Sequence, residues 1–197
     1  MNLTSLESAL TTHMNPYRFA HTLAVKDECA ALARLFMLSE EDTADLLAAA
    51  LLHDCTKGLN TPEQIKLAGE LSIALTDDDL ASPKVLHSIT GAGVAVREFG
   101  VSEKIANMIA CHTTGKENMT LPEKLLYLAD YIEPTRTFDD CVKLRQFFYE
   151  EREGDLLTHL DRTLILSFDL TLRNLLEEGG HIHIETVKSR NFLMKNA

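Results

Sequence analysis

An apolar, helix-favouring run occupies residues 46–52 and ends in two polar residues, His53 and Asp54. Leu46, Ala50 and His53 stand at i, i+4 and i+7. Leu47, Leu51 and Asp54 have the same spacing, so Asp54 also faces inward. Both polar groups therefore continue the inward face of a helix. Because an unpaired buried carboxylate is costly, we expect Asp54 to be protonated or to lie beside a cation, and a metal ion would meet that need.

The stretch before this run predicts another helix with polar residues on its apolar stripe. An Asn-Pro pair at 15–16 is typical of a helix start, and the stripe that follows extends back through His21 to Arg18. A histidine and an arginine thus share a line with core residues, where a cleft could open. Ser39 is placed as an N-cap of the helix that contains residues 46–52, and we expect this helix to end at Gly58.

Later helices repeat the pairing of an apolar stripe with a polar residue. Pro83 begins a helix that carries His87, and the apolar stripe of the following helix closes with His112. Leu126 leads by i+4 to Asp130 in the helix after that. On the helix of His87, the apolar stripe lies on a different side from this histidine and comprises Val85, Ile89, Ala92 and Val96.

The C-terminal part is leucine-rich on nearly every helical face from residue 155 to 178, which predicts a long buried helix. Arg173 is conspicuous in it and calls for an anionic group opposite. Residues 181–184 alternate polar and apolar as a strand would, but a helical pattern resumes at Thr186. Strand signals are otherwise almost absent, and no repeat or linker divides the chain.

This order of elements predicts an all-α fold. We expect one domain over residues 1–197, with a core at about 16–135 and C-terminal helices, at about 140–197, that pack on it. The 197 residues, of which 45% are hydrophobic, suffice for one buried core.

The net charge and the targeting signals limit which partners and which cellular location we expect. With 30 acidic and 19 basic residues the formal charge is −11, which opposes binding to nucleic acid or to an anionic membrane. A polyanionic substrate would need a local basic cluster. No signal peptide or apolar run long enough to span a membrane is visible, so we expect a cytoplasmic protein. No CxxC pair occurs, which favours reduced thiols at Cys29, Cys55, Cys111 and Cys141.

The inward polar residues form one candidate metal site in the core of the bundle. Histidine and carboxylate without thiolate suit iron, manganese, cobalt or zinc, and a catalytic ion of this kind would support hydrolysis. The predicted ligands are His21, His53, Asp54, His87, His112 and Asp130. The remaining histidines have no comparable setting, and we expect surface or local hydrogen-bonding roles for His13, His159, His181 and His183.

The motifs around these residues resemble those of the HD superfamily of metal-dependent phosphohydrolases, and more narrowly the YqeK-type symmetrical bis(5'-nucleosyl)-tetraphosphatases. A bare His-Asp pair is weak evidence, whereas HTTG followed at this distance by LADYIEP is specific. The resemblance runs through nearly the whole chain, as far as Arg190, and rests chiefly on RFAHTL (Arg18–Leu23), LLHDCTK (Leu51–Lys57), CHTTG (Cys111–Gly115) and LADYIEP (Leu128–Pro134).

The resemblance implies an HD-type helical bundle that hydrolyses diadenosine tetraphosphate to two ADP with iron, as a binuclear centre in which manganese or cobalt could substitute. Asp54 would be the catalytic residue, and His87 and His112 would lie near a second metal or the departing phosphate. A homodimer is possible. The residues implied to hold nucleotide and phosphate are Arg18, Lys57, His87, Thr113, Thr114, Arg136 and Arg173.

Two other functions stay open at this point. The same catalytic ligands would serve an HD phosphohydrolase for a deoxynucleoside phosphate, a cyclic nucleotide or an alarmone. A helical nucleotide-binding module with a structural metal and no turnover is the alternative from another class.

Overall fold

The structure is a computed structural model that describes residues 3–12, 14–151 and 154–196. Within these ranges the chain forms eleven α-helices, one short 3-10 turn at Pro83–Val85 and no strand. The all-α prediction is confirmed. The helices are α1 (Leu3–Leu10), α2 (Pro16–Leu35), α3 (Glu40–Leu52), α4 (Thr61–Glu70), α5 (Asp77–Ala81), α6 (Leu86–Phe99), α7 (Glu103–Cys111), α8 (Leu121–Ile132), α9 (Asp139–Glu150), α10 (Leu156–Glu177) and α11 (Ile184–Asn196).

Side-chain caps fix where several of these helices begin. The side chain of Asn15 accepts the backbone N–H of Arg18 at 2.8 Å, and Ser39 accepts that of Asp42 at 3.0 Å. Each bond satisfies a donor that has no partner inside the helix. Both helix starts therefore lie where the sequence predicted them.

Helix α3 is the centre of the bundle. It packs against α1, α2, α6, α7 and α8, and the side chains from Leu46 to Leu52, apart from Leu47, are buried. The helix ends at Leu52 and not, as predicted, beside Gly58. The reason is local, because the ring of His53 hydrogen-bonds the carbonyl of Ala50 and the chain continues in turns.

Helix α6 turns a different face inward from the one that its apolar residues predicted. Val96 is 46% exposed, whereas His87, Thr90 and Gly91 are buried. The hydroxyl of Thr56, in the turn after α3, donates to the carbonyl of His87 and lies 2.9 Å from the hydroxyl of Thr90. Polar contacts to this turn therefore lie on the inward face of α6, beside the buried side chains of Leu86 and Ala95.

The last three helices form a series that begins at α8: α9 packs on α8, α10 on α9, and α11 on α10. The rings of Tyr127 on α8 and Phe168 on α10 lie 4.9 Å apart, and Lys124 pairs with Asp161 at 2.6 Å. Helix α10 is buried on one face only, because Leu176 is exposed, so the prediction of burial on nearly every face was wrong. Among the described residues, no helix combines the length and apolar character needed to cross a membrane.

Gly115 allows the turn after α7 to approach α10 and α11. Its φ of +65° lies in the left-handed region, which disfavours other residues. A Cβ atom here would lie 2.7 Å from Cζ of Phe168 and 2.8 Å from Oγ of Ser189. The glycine of the HTTG motif thus meets a packing requirement next to His112.

Helix α5 is tied to the start of α11 by a carboxylate. Asp78 accepts the backbone N–H of Ile184, the first residue of α11, at 2.7 Å, and hydrogen-bonds the ring of His181. The His181 contact and this N–H hold the pKa of Asp78 below its ordinary value of 3.8. A lowered folded-state pKa gives a stabilisation that is complete above the ordinary value and disappears as the pH falls through the folded value.

We expect Asp78→Asn to reduce the free energy of unfolding by roughly 1 kcal/mol at pH 7, as for the loss of a helix cap. The difference from the unmodified protein should vanish in urea titrations repeated as the pH is lowered below about 4. Asp77→Asn is the matched control, since Asp77 is exposed and neighbours Asp78. Equal destabilisation by both variants, or a difference that persists in acid, would contradict the assignment.

Candidate active site

The structure brings six polar side chains from five parts of the bundle to one place. Nε2 of His21 lies 3.0 Å from Oδ1 of Asp130, and Nε2 of His87 lies 3.2 Å from Oδ1 of Asp54. Helices α2, α6 and α8 supply three of these residues, and the ends of α3 and α7 supply the others. The convergence that the sequence predicted is therefore present for His21, His53, Asp54, His87, His112 and Asp130.

Three of the imidazoles are oriented by the same local contact. Nδ1 of His53 donates to the carbonyl three residues earlier at 2.7 Å, as does Nδ1 of His112 at 2.7 Å and that of His87 at 2.8 Å. A carbonyl only accepts, so Nδ1 carries the proton in each neutral ring, an assignment made from the hydrogen-bond network. Each ring therefore presents the lone pair of Nε2 to the centre, as metal-binding histidines do.

His21 is oriented by a carboxylate. Its Nδ1 lies 3.1 Å from Oε1 of Glu133, a fully buried residue that also accepts the backbone N–H and the hydroxyl of Thr135 at 2.6 Å and 2.7 Å. A carboxylate behind a histidine fixes the ring and raises its basicity toward a metal. All four imidazoles of the cluster thus have an outer partner.

The inner face of the cluster fits a divalent cation. Among the described residues, Nε2 of His21, Nε2 of His53 and Oδ1 of Asp54 are buried without a hydrogen-bond partner. Nε2 of His87 and Nε2 of His112 lie only 3.2 Å apart. With both Nδ1 atoms protonated, these nitrogens present lone pairs to each other, which a cation relieves. Ligand atoms within 4.8 Å of one another form three overlapping groups: His21, His53 and Asp54; His53, His112 and Asp130; and Asp54, His87 and His112.

Electrostatics keep the carboxylates ionised and the deepest imidazole neutral. Burial alone would raise the pKa of Asp54, but the surrounding imidazoles, His53 foremost, and the ammonium of Lys57 hold it well below 3.8. The pKa of Asp130 is likewise well below 3.8, since Arg136 and His21 outweigh its burial. Burial lowers the pKa of His53 to about 4. At neutral pH these groups are thus in the states that bind a metal.

Three basic side chains surround the cluster. Nη1 of Arg18 lies 2.7 Å from Oδ2 of Asp54, and Nζ of Lys57 lies 3.3 Å from Oδ1 of the same residue. Nη2 of Arg136 lies 2.6 Å from Oδ1 of Asp130. All three line a cavity of about 1650 Å³, whose wall also includes His87, His112 and Asp130 of the cluster. Pockets for drug-sized ligands measure about 300–1,000 Å³, so this cavity has room for an extended, anionic ligand.

Comparison with known proteins places this site in a family. The HD domain family matches residues 18–135, which include every residue of the cluster. The chain belongs to the HD domain family. The resemblance read from its motifs is thereby confirmed. We call the six-residue cluster, which lies within the matched range, the His-Asp centre.

Relatives of similar length carry one activity name. The symmetrical bis(5'-nucleosyl)-tetraphosphatase of Halalkalibacterium halodurans is 32% identical over 92% of this chain and 91% of its own. That of Bacillus subtilis is 30% identical over 100% of both chains. A crystal structure of a predicted HD superfamily hydrolase involved in NAD metabolism, from Clostridium acetobutylicum, matches with a TM-score of 0.88 and 31% identity, covering 100% of this chain and 99% of that one.

Two predicted phosphate ligands of the HD-domain protein occupy other settings. Thr114 does not line the cavity, because its hydroxyl donates to the carbonyl of Gly115 and its own carbonyl accepts from Ser189. Arg173 lines the cavity but is 52% exposed, and the anionic group opposite it is Asp140, at 3.2 Å. Neither contact of Thr114 favours its expected phosphate-binding role, which stays a prediction, and the expectation for Arg173 rested on burial that it does not have.

The other predicted residues lie as follows. Thr113 lines the cavity, with its hydroxyl 3.0 Å from that of Ser88. His159 is buried and hydrogen-bonds a backbone carbonyl, and His181 and His183 contact aspartates of α5, so these three have the local hydrogen-bonding roles expected. His13 lies outside the described residues.

Sequence reasoning missed the outer partner Glu133 and a buried network behind the His-Asp pair. In that network Gln64 donates to the carbonyl of Thr56 at 2.7 Å and also bonds Thr90. A signal existed for Glu133, because an acidic residue at the carboxyl end of a helix is unfavourable unless it has another role. No comparable signal marks Gln64, whose partners come from other elements.

We expect Mn²⁺, used as a probe, to stabilise the metal-stripped HD-domain protein. At 100 times the Kd, the gain of about 2.7 kcal/mol corresponds to roughly 5–11 °C in Tm. His53→Gln should abolish most of this shift in thermal unfolding because it removes an unpartnered inner nitrogen. His181→Gln should keep the shift, and an undiminished shift in His53→Gln would refute the site.

Proposed function

We propose that this HD-domain protein is a metal-dependent hydrolase that cleaves diadenosine tetraphosphate symmetrically to two ADP. The names of the full-length relatives support the substrate. The observation that carries the proposal is the combination of a buried cluster with three overlapping ligand groups and three cations in one large cavity.

The ligand assignment in this proposal follows the cluster. His21, His53, Asp54 and Asp130 would hold one metal ion, and His87 and His112 would serve a second position together with Asp54. A divalent metal in such a site supplies an activated water and neutralises charge on a phosphoryl oxygen. We propose iron, with manganese or cobalt as substitutes, because nitrogen and oxygen donors suit all three.

The protein side chains would bind the polyphosphate and handle the proton. Arg18, Lys57 and Arg136 form the local basic cluster that a substrate with four phosphates requires on a chain of net charge −11. Asp54 would orient the attacking water or accept its proton through Oδ1, the oxygen that faces Nε2 of His87 and Nζ of Lys57.

The proposed reaction breaks one P–O bond of the central bridge. The oxygen of water joins one inner phosphorus, and the bridging oxygen leaves with the other half of the molecule, so two ADP form. The cations would stabilise the charge that develops on the departing ADP. Arg173 and Thr113 line the cavity wall and stay candidates for contacts there, and the predicted contact of Thr114 has no such support.

The setting of this activity follows from coarser observations. The four cysteines are free, which suits the reducing cytoplasm proposed here. A homodimer stays a prediction, as does the absence of nucleic-acid binding that the net charge indicates.

Product analysis tests the substrate and the bond cleaved. With Mn²⁺ or Fe²⁺ present, we expect anion-exchange chromatography to show ADP as the only product of diadenosine tetraphosphate. In water labelled with ¹⁸O, half of the ADP molecules should carry one labelled oxygen. AMP plus ATP, or hydrolysis of a different nucleotide alone, would contradict the proposal and favour another HD phosphohydrolase. Metal binding without any hydrolysis would favour the nucleotide-binding module.

We expect Asp54→Ala to abolish turnover while the far-ultraviolet circular dichroism keeps its helical signal. The change removes a ligand shared by two of the three groups and the proposed proton acceptor. Asp77→Ala, at an exposed residue on α5, should keep full activity. Substantial activity in Asp54→Ala would refute the role.

A further inference from the structure

Arg145 on α9 binds only backbone carbonyls around one turn. Its Nε donates to the carbonyl of Ile132 at 2.6 Å, and its Nη2 donates to those of Glu133 at 2.6 Å and Arg136 at 2.8 Å. In the described part of the chain, Arg145 has no carboxylate within ion-pair distance. The guanidinium therefore uses these N–H groups to hold the backbone between residues 132 and 136.

This turn needs such a partner. Helix α8 ends at Ile132, and the last carbonyls of a helix have no partner inside it. Pro134 follows and cannot continue the helix. A planar guanidinium has several donors in a fixed arrangement, which lets one side chain bridge carbonyls that diverge in a turn. Arg145 thus caps α8 from a neighbouring helix.

The turn presents two side chains to the His-Asp centre. Glu133 holds Nδ1 of His21 at 3.1 Å, and Arg136 holds Oδ1 of Asp130 at 2.6 Å. Both residues receive a hydrogen bond from Arg145 on their own carbonyl oxygens. A change in the path of this turn therefore displaces the outer partner of one metal ligand and the cation beside another.

We propose that Arg145 is a positioning residue of the metal centre, which acts through the 132–136 turn and not by contact with metal or substrate. The inference rests on metal binding at the cluster, as in the proposed function, but not on the identity of the nucleotide. It assigns a role in the site to a residue outside the matched range 18–135.

The test is the affinity of the full-length protein for Mn²⁺, measured by electron paramagnetic resonance of the free ion. Loss of an outer partner weakens metal binding about 10- to 100-fold, so we expect Arg145→Ala to raise the Kd at least about 10-fold. In Arg145→Lys the lysine has one nitrogen for three carbonyls, and we expect a smaller rise in Kd than in Arg145→Ala. This second variant keeps the positive charge if the alanine variant folds poorly.

Two controls separate positioning from stability. Lys143→Ala removes an exposed cation from the same helix, and Phe148→Leu reduces packing at a buried residue of α9 without touching the turn. Both should bind Mn²⁺ as the unmodified protein does. A loss of affinity in Phe148→Leu that matches that in Arg145→Ala would reduce the effect to stability and overturn the proposal.

A double variant tests the route through Glu133. Glu133→Gln keeps an oxygen that can accept from His21 but removes the charge, and it should weaken Mn²⁺ binding by itself. If Arg145 acts through Glu133, the increase in Kd of the double variant should be smaller than the product of the increases that the two single variants show. Multiplying effects would overturn the route.

The outcomes also distinguish this inference from the proposed function. If the unmodified protein fails to bind Mn²⁺, the proposed metal site and the role of Arg145 are both refuted. If the unmodified protein binds Mn²⁺ and Arg145→Ala binds it equally well, only the role of Arg145 is refuted. Loss of affinity in Arg145→Ala supports that role whichever nucleotide the protein hydrolyses.

Discussion

The arrangement of this protein depends on buried lone pairs that face one another. His53, His87 and His112 each commit Nδ1 to a backbone carbonyl, which leaves Nε2 directed at Asp54 and at the other rings. Such groups are costly in a protein interior unless a cation or proton lies between them. The packing of the helices therefore creates one point in the bundle where positive charge is needed. The cations at the rim meet part of this requirement, and a metal ion bound at the cluster, as proposed, would meet the rest.

The helix ends create this geometry by a repeated local device. Helices α3 and α7 both end where a histidine ring bonds the carbonyl three residues earlier, so the same side chain ends the helix and turns inward. His87 makes the same contact with Lys84 across the 3-10 turn before α6. Carbonyls near a helix end lack partners in the helix, and the imidazoles supply donors. At His53 and His112 the same contact thus accompanies the end of the helix and orients the ring.

Periodicity predicted the all-α fold and the inward position of five of the six polar residues, because the spacing of apolar positions marks which face of a helix is buried. His87 is the exception, since the apolar stripe of its helix lay on a different side. It could not predict contacts decided by turns and by partners far away in the chain. The side chain of Thr114 turns to a local carbonyl, and Arg173 finds Asp140 on α9. The inward face of α6 contacts Thr56, a polar residue of another element. Arg145 gave no signal, because its partners are carbonyls that every residue carries.

Reliance on backbone acceptors also frees the orientation of these rings from the side chains around them. A carbonyl three residues before a histidine is present whatever side chain occupies that position, so ring orientation depends on helix geometry and not on the neighbouring residue type. This chain and the Clostridium acetobutylicum hydrolase share 31% of their residues, yet their folds match with a TM-score of 0.88. Side-chain identity is demanded mainly where a contact cannot be made by backbone, as at Glu133 behind His21. We therefore expect the inner geometry to follow from the helices, and metal affinity to be adjusted by the few side chains behind them.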